Sequence, residues 1–530
     1  MKLIPIAVPS FLAAVFLAAT SPAIAQFWAT HPDNQPSSPE RAFGAAGEPR
    51  AAAPAGPANS LGGSGDTGVD SVGTLPERDT GFDRRTWNDT QFALVLQLTE
   101  ALPERLDSAA EHELARNLLL SVGDAPPGDD GGSRLLEIRV RKLLALGNVA
   151  DAAALARAAP GLPQDEALAR DEVQAELLAG QVEAACIDLR AMGALLTDPV
   201  SANALLLCRR NAGENLAGDG PALDIGALGA AARIAGAPLP ADPATATPAQ
   251  LVSAARDSGL PPEQRLEDAF AAGRASALNG ETLAEIFKAA PAAAMPAEDG
   301  PPTSGLSAAA LFQAIEQEGD TRQKLALAER GLLSPDGVSD KIGIAMAQPL
   351  RDLQPVTELG PLAARFAILF YTLGDIDAAT PWAELADQSG GGAALWPYRV
   401  LLKEADATGI GDWEQQANLE PALKARLFTI LAAFGIVKPP RTPAAGEDQP
   451  EPAFQDLLAI DRAAKAAHVG ETTLRALTLL GRTGPARCHP LALRRALADL
   501  DAVHMHSEAH ALAFEAITAI LMQAGHGAGP

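Results

Sequence analysis

Residues 135–160, LLEIRVRKLLALGNVADAAALARAAP, decide the fold class of this chain. A leucine-rich stretch of helical character leads to the phrase GNVADA, which begins at Gly147, and an alanine-rich stretch follows it. The phrase returns as GQVEAA from Gly180, and Gly213 stands at the same interval further along the chain. A fixed period of about 33 residues with a glycine inside each unit is typical of stacked helical hairpins. We therefore predict antiparallel helix pairs that turn at these glycines.

The glycine phrase continues less regularly beyond this point. Gly213 keeps the position but lacks the Val and Ala that follow the first two glycines. Gly374 opens GDIDAA, the clearest copy, yet its distance from Gly213 is not a multiple of the earlier interval. Ala and Leu favour helix, aromatic residues make up only 4% of the chain, and no run of alternating β-branched residues indicates a strand. We therefore predict an all-α fold, an irregular α-solenoid of antiparallel hairpins that pack through small and aliphatic side chains.

Stretches rich in proline and glycine interrupt the helical pattern at 236–248, 296–305 and 438–452. Proline removes a helix hydrogen bond and biases the residue before it to extended backbone, so helices should end there. Residues from Gln26 to about Asp83 lack an apolar period and cannot bury enough surface to offset the entropy of ordering. The predicted segments are a signal peptide at 1–25, a disordered linker at 26–85, helical repeat blocks at 86–235 and 306–437, and further helical blocks at 249–295 and 453–523.

The N-terminus has the pattern of an export signal. Lys2 supplies a positive charge, residues 11–19 are apolar, and AIA at 23–25 provides the small residues that a signal peptidase requires. We expect cleavage between Ala25 and Gln26, which would place the mature protein in the periplasm or outside the cell. The alternative is an uncleaved anchor, although the apolar stretch is shorter than the ~20 residues that span a bilayer. No later segment is apolar and long enough to cross a membrane, so we expect no membrane association after cleavage.

The charge of the chain argues against two classes of partner. Asp and Glu number 66 against 41 Lys and Arg, a formal net charge of −25. Nucleic-acid binding depends on clustered Lys and Arg that contact phosphates, so we expect no nucleic-acid partner. Anionic lipid surfaces are disfavoured for the same reason. The excess of acidic residues is typical of a soluble surface with net repulsion.

At GDIDAA the chain resembles the tetratricopeptide repeat, whose hairpin turn typically reads Gly-Asp, then an aromatic or aliphatic residue, then two variable positions and Ala. Phe370, four residues before Gly374, matches the bulky apolar position of the first helix of that repeat. The resemblance covers four units, at 135–160, 167–193, 200–217 and 360–388. The second helices are shorter than in that family, so a generic hairpin array without common descent is the alternative. Both imply a concave face that holds a peptide or protein partner.

The three cysteines fit an exported protein. Cys186 and Cys208 lie eleven residues on either side of a turn near Thr197. Two antiparallel helices joined there would bring both to the same level, which would allow a disulfide in an oxidising compartment; buried free thiols are the alternative. Cys488 has no such counterpart. Its neighbour His489 is adjacent only in sequence, so we do not predict a catalytic thiol.

Five of the eight histidines lie C-terminal to Cys488. Together with Cys488, the residues His489, His506 and His510 are the candidates for a copper or zinc site. The four-residue spacing of His506 and His510 would put both on one helical face, but Ser507 resembles a helix N-cap, which would leave His506 outside the helix. Solvated or capping histidines are the simpler interpretation, and we predict no metal site.

The pattern as a whole predicts a binding function. The chain contains no zincin, nucleophile-elbow or phosphate-loop motif, and no α+β segment remains to house a catalytic domain. We expect a non-catalytic scaffold or adaptor of the cell envelope, without a cofactor, that binds a protein or peptide partner. The alternative is an envelope enzyme or enzyme accessory, related to the cell wall or to a metal, that uses the C-terminal Cys/His cluster.

Overall fold

The computed structural model describes residues 68–129, 131–159, 165–192, 196, 199–212, 246–257, 259–291, 300–335, 337–417, 419–440 and 450–524. It confirms the all-α prediction. The described residues form helices joined by turns, and the only β-type pairing among them is one parallel bridge between Leu75 and Ser121.

The described helices of the N-terminal half are short to medium in length. They are α1 Glu77–Thr80, α2 Phe92–Glu100, α3 Ala109–Leu120, α4 Arg134–Ala145, α5 Val149–Arg157, α6 Glu166–Leu178, α7 Val182–Met192, α8 Pro199–Asn211, α9 Pro248–Arg256, α10 Pro262–Arg274 and α11 Gly280–Ala289.

The C-terminal half has the same construction. Its helices are α12 Gly305–Gln317, α13 Thr321–Arg330, α14 Lys341–Ala347, α15 Ala363–Thr372, α16 Ile376–Gln388, α17 Trp396–Arg399, α18 Ile410–Ala417, α19 Pro421–Ala433, α20 Phe454–Lys465, α21 Val469–Leu480, α22 Pro490–Ala502 and α23 His506–Gln523. Short 3₁₀ helices lie between some of them, at Gln348–Leu350, Thr357–Leu362, Gly392–Leu395 and Ala407–Gly409, and another, at Val69–Ser71, precedes α1.

Three of the glycines identified in the sequence lie at the end of a helix and have a left-handed backbone conformation. Gly147, Gly180 and Gly374 follow α4, α6 and α15 with φ of +87°, +76° and +72°. In each turn the glycine N–H donates to the carbonyl three residues back, and the next N–H donates to the carbonyl five residues back. This pair of bonds is the Schellman motif, which satisfies the last carbonyls of a helix and turns the chain into the next one. Gly213 lies outside the described residues.

The same motif also occurs where the sequence has no glycine. Ser276, Ala467 and His504 follow α10, α20 and α22 with φ of +51°, +58° and +67°. Each makes the same two backbone bonds as the glycines. The period based on glycine therefore fades along the chain while the hairpin turn itself persists.

The helices pack first against their neighbours in the chain. From α4 to α8 each helix contacts the next, and α9 returns to contact α4 and α6. The first hairpin turn is closely packed, since a Cβ placed on Gly147 would lie 2.5 Å from the Cβ of Ala277. One large apolar core extends from Phe82 to Leu521, and a second, smaller cluster lies among α6, α7 and α8.

The N-terminal and C-terminal helices of the described chain are in contact. Helix α2 packs against α21, and α3 packs against α21 and α23. The backbone N–H of Asp107 donates to the carbonyl of Arg482, and the N–H of Gly470 donates to the carbonyl of Thr86. Each repeat of a linear solenoid contacts only its neighbours. The described residues depart from that arrangement because one end of the helix array packs against the other.

Ordered structure begins earlier than the predicted linker boundary at residue 85. The fully buried carboxylate of Asp70 accepts bonds from the N–H groups of Leu135 and Leu136 at the start of α4. The buried guanidinium of Arg139 donates to the carbonyl of Val72 at 2.6 Å. These polar contacts, together with the fully buried ring of Phe82, hold the segment. Apolar periodicity in the sequence could not reveal this ordered segment, because hydrogen bonds to α4 hold it in place. The predicted signal peptide and residues 26–67 lie outside the described residues.

Candidate functional site

A groove of about 520 Å³ lies on the surface between α2 and α4. Its apolar lining comes from Phe92 and Leu96 of α2 and from Ile138 of α4. Phe92 and Leu96 are anchored in the core, and their spacing places both on the face of α2 that turns toward α4. Exposed Ala93 and Gln97 occupy the adjoining face of α2, so small or flexible side chains border the opening.

Charged side chains of both signs form the rim of this groove. Glu100 of α2 and Arg134, Glu137 and Arg141 of α4 line its edge. The Arg141 guanidinium bonds to Glu137 at 2.7 Å, one turn away on the same helix, and to Glu100 across the groove. A strip with an apolar base and a polar rim resembles the centre and border of a protein-binding surface.

The cysteines of the first repeat block are joined. The structure places a disulfide between Cys186 of α7 and Cys208 of α8, with the two Cα atoms 5.3 Å apart. The two helices are in contact, and the cysteines meet within the smaller apolar cluster. The bond therefore ties α7 to α8 in a part of the molecule that has few large apolar side chains.

Cys488 is buried, and its environment is unfavourable for a thiolate. Burial, together with the nearby Glu111 carboxyl, raises the pKa of the thiol above its usual range. Its Sγ contacts the carbonyl of Pro485 at 3.8 Å. The neighbouring His489 precedes α22 and uses Nδ1 to accept the N–H of Leu491 as a cap. Neither arrangement resembles an activated nucleophile with its base.

The remaining histidine candidates lie at the other end of α22. The helix α23 begins at His506 after Met505 as N-cap, so the expectation that Ser507 would cap it is wrong. His506 Nδ1 contacts a carboxylate oxygen of Asp501 at 2.6 Å, whereas the ring of His510 packs between Phe434 and Phe514.

The four C-terminal candidates therefore do not assemble into one ligand set. Helix α22 separates Cys488 and His489 from His506 and His510, because each pair lies beyond a different end of it. Within the part of the chain that the structure describes, one group of three potential ligand residues is close enough to hold a metal ion, and it consists of Glu172, Glu176 and Asp188. Sequence reasoning missed this group, since its acidic residues resemble those of any exposed helix surface.

Buried carboxyl groups also lie where the N-terminal and C-terminal helices meet. The Ser108 hydroxyl donates to Glu515 of α23 at 2.7 Å, and both side chains are buried. Burial raises the pKa of Glu515 to about 8. The adjacent Glu111 of α3 is fully buried, and its pKa is also raised, by burial and by the charge of Glu515. Glu515 is therefore held mainly in the protonated form near neutral pH.

None of the described helices has the length and apolar character that a membrane crossing requires. Comparisons with models of protein families, with curated proteins and with solved structures find no match for this chain.

Proposed function

We propose that the protein is an exported helical scaffold or adaptor that binds a protein or peptide partner through the groove between α2 and α4. The single observation that carries this proposal is the composition of the groove, with its apolar base of Phe92, Leu96 and Ile138 and its charged rim. Such a strip is complementary to a segment that has apolar side chains at helical spacing and charged groups of both signs beside them. The walls extend over about two helical turns, so we expect a short amphipathic helix as the bound segment.

Two further features support export, and a third supports a repeat-type scaffold. The first is the pattern of a signal peptide that ends at Ala25. The second is the Cys186–Cys208 bond, since structural disulfides are characteristic of oxidising compartments. The hairpins α4–α5, α6–α7 and α15–α16 share one turn geometry, which supports a tetratricopeptide-like unit as the building block. Because the two ends of the helix array are in contact, the proposed scaffold differs from an open superhelix with one continuous concave face.

A photo-crosslinking amino acid at Gln97 tests the groove. Gln97 is an exposed lining residue, and exposed Ala154 on α5 lies outside the lining and serves as the matched control position. In cells that produce the protein, we expect one dominant adduct from Gln97 and none from Ala154. The substitution Ala93→Arg should abolish that adduct because it fills the groove, whereas Ala154→Arg should not.

The crosslinked peptide should be an amphipathic segment when mapped by mass spectrometry. Equal adducts from both positions, or an adduct that survives Ala93→Arg, would contradict the proposed site.

Export has a separate readout. The mature chain should begin at Gln26, and Cys186 and Cys208 should resist alkylation until a reductant is added. A chain that keeps residues 1–25 and whose cysteines are freely alkylated would overturn the export part of the proposal.

A further inference from the structure

The carboxyl groups of Glu172, Glu176 and Asp188 converge between α6 and α7. Glu172 and Glu176 lie four residues apart on one face of α6, and Asp188 faces them from α7. One oxygen of each residue lies within 4.8 Å of the corresponding oxygen of the other two. Calcium binds oxygen ligands at about 2.3–2.6 Å, so ligands on opposite sides of one ion lie about 4.6–5.2 Å apart. The spacing of the three carboxylates is thus suitable for a single ion of that size.

Two of these carboxyl groups contain buried oxygens that lack partners. Glu172 is only 5% exposed, and its Oε2 is buried without a hydrogen-bond partner. Glu176 is fully buried; its Oε1 accepts the Nε of Arg157 at 2.7 Å, while its Oε2 has no donor partner and its carboxyl group lies within hydrogen-bond reach of the Asp188 carboxyl. Buried polar atoms are satisfied in the great majority of cases, and an unsatisfied one costs about 1–3 kcal/mol, more for a charged group. A cation bound between the three carboxyl groups would supply the partner that these oxygens lack.

The charge balance of the group leads to the same conclusion. Arg157 is the guanidinium that contacts Glu176, and one positive charge cannot balance three carboxylates. Protons shared among the three groups are the alternative way to relieve their repulsion.

We propose that Glu172, Glu176 and Asp188 bind one hard divalent cation of the Ca²⁺ type between α6 and α7. Carboxylate oxygens without nitrogen or sulfur ligands select such a cation over zinc or copper. Asp188 is partly exposed, which leaves a side of the site open to water as further ligands.

The position of the site gives the cation a structural task. The smaller apolar cluster has ten buried residues, of which three are alanines and two are the bonded cysteines, and it is separate from the main core. The disulfide ties α7 to α8. A cation at this site ties α6 to α7, so the two links together hold a region that has little apolar surface of its own.

Calorimetric titration of the full, oxidised chain with CaCl₂, after removal of metals with a chelator and dialysis, tests the proposal. We expect saturable binding of one ion per chain and a rise in the melting temperature of the wild type. Glu172→Gln and Asp188→Asn should each weaken binding by at least about tenfold, since loss of even an outer-shell partner has effects of that order. Asp171→Asn is the matched control, because Asp171 is a buried carboxyl on the same helix that lies outside the group.

Three results would overturn the proposal. They are no saturable binding to the wild type, the same affinity in all four proteins, and a stoichiometry of several ions per chain. The second and third would show general attraction to the acidic surface. Circular dichroism verifies folding of each variant. If Glu172→Gln does not fold, the wild type and Asp188→Asn decide the result, since the partly exposed Asp188 tolerates an amide more readily.

Discussion

At the scale of single residues, the unusual groups of this protein are buried acids. Glu515 accepts the Ser108 hydroxyl in an interior where α3 and α23 meet. Glu111 lies beside it, and neither of its carboxylate oxygens has a hydrogen-bond partner among the described residues. The protein thus holds carboxyl groups at positions where most folds have apolar side chains. Their raised pKa values couple the stability of the fold to pH.

With Glu515→Gln, the free energy of unfolding should fall less steeply as the pH rises. The pKa of Glu515 is about 8 in the folded protein, above the usual value of 4.5, so the folded state retains a proton that the unfolded state releases. Its contribution is complete below pH 4.5 and is lost as pH rises through about 8, with a slope of about 1.4 kcal/mol per pH unit between those values. Gln is neutral throughout and lacks this slope. Thermal unfolding of both proteins from about pH 5 to about pH 9 measures the difference, and parallel curves would contradict the assignment.

At the scale of elements, the helical hairpin is held by a backbone device that several residue types can form. Glycine occupies the left-handed position after α4, α6 and α15, whereas Ala467 occupies it after α20. A residue with a Cβ is strained there by about 1–2 kcal/mol. The sequence therefore identified the hairpins that have glycine turns and overlooked those that do not.

Reciprocal substitutions at two turns should have opposite signs. Gly374→Ala is expected to destabilise by about 1 kcal/mol, because φ is +72° while the added Cβ has ordinary contact with Ala511 at 3.8 Å. Ala467→Gly should stabilise by about 0.5–1 kcal/mol, because the exposed Ala467 has φ of +58° and loses its strain. Melting temperatures of the two variants and the double variant provide the comparison. Two changes of the same sign would contradict the shared turn geometry.

At the scale of the whole molecule, contact between the two ends of the helix array includes one especially close approach. Gly470, near the start of α21, donates its N–H to the carbonyl of Thr86 at 3.0 Å. A Cβ at this position would lie 2.6 Å from that carbonyl oxygen and 2.7 Å from the ring of Trp87. Ala normally favours a helix over Gly by about 1 kcal/mol, but here backbone and a buried ring occupy the space.

Gly470→Ala should therefore destabilise the protein although it lies within a helix. The matched control is Gly411→Ala in α18, where the added Cβ meets nothing within 4 Å, so a neutral change or a gain of up to about 1 kcal/mol is expected. Hydrogen exchange should show that Gly470→Ala opens α2 and α21 before α15 and α16. Equal stability of the two variants would show that the ends are not held by this contact.

Local chemistry determined the helix content, the class of the fold and the position of the glycine turns, because these depend on residues within a few positions of one another. The sequence could not determine the contact of α2 and α3 with α21 and α23, the uncovered face that forms the groove, or the convergence of Glu172 with Asp188. Cys488 and His506 are close together in the sequence, but α22 separates them in the structure. Side-chain direction and long-range helix pairing decide such contacts, and both arise only when the helices pack around a shared core.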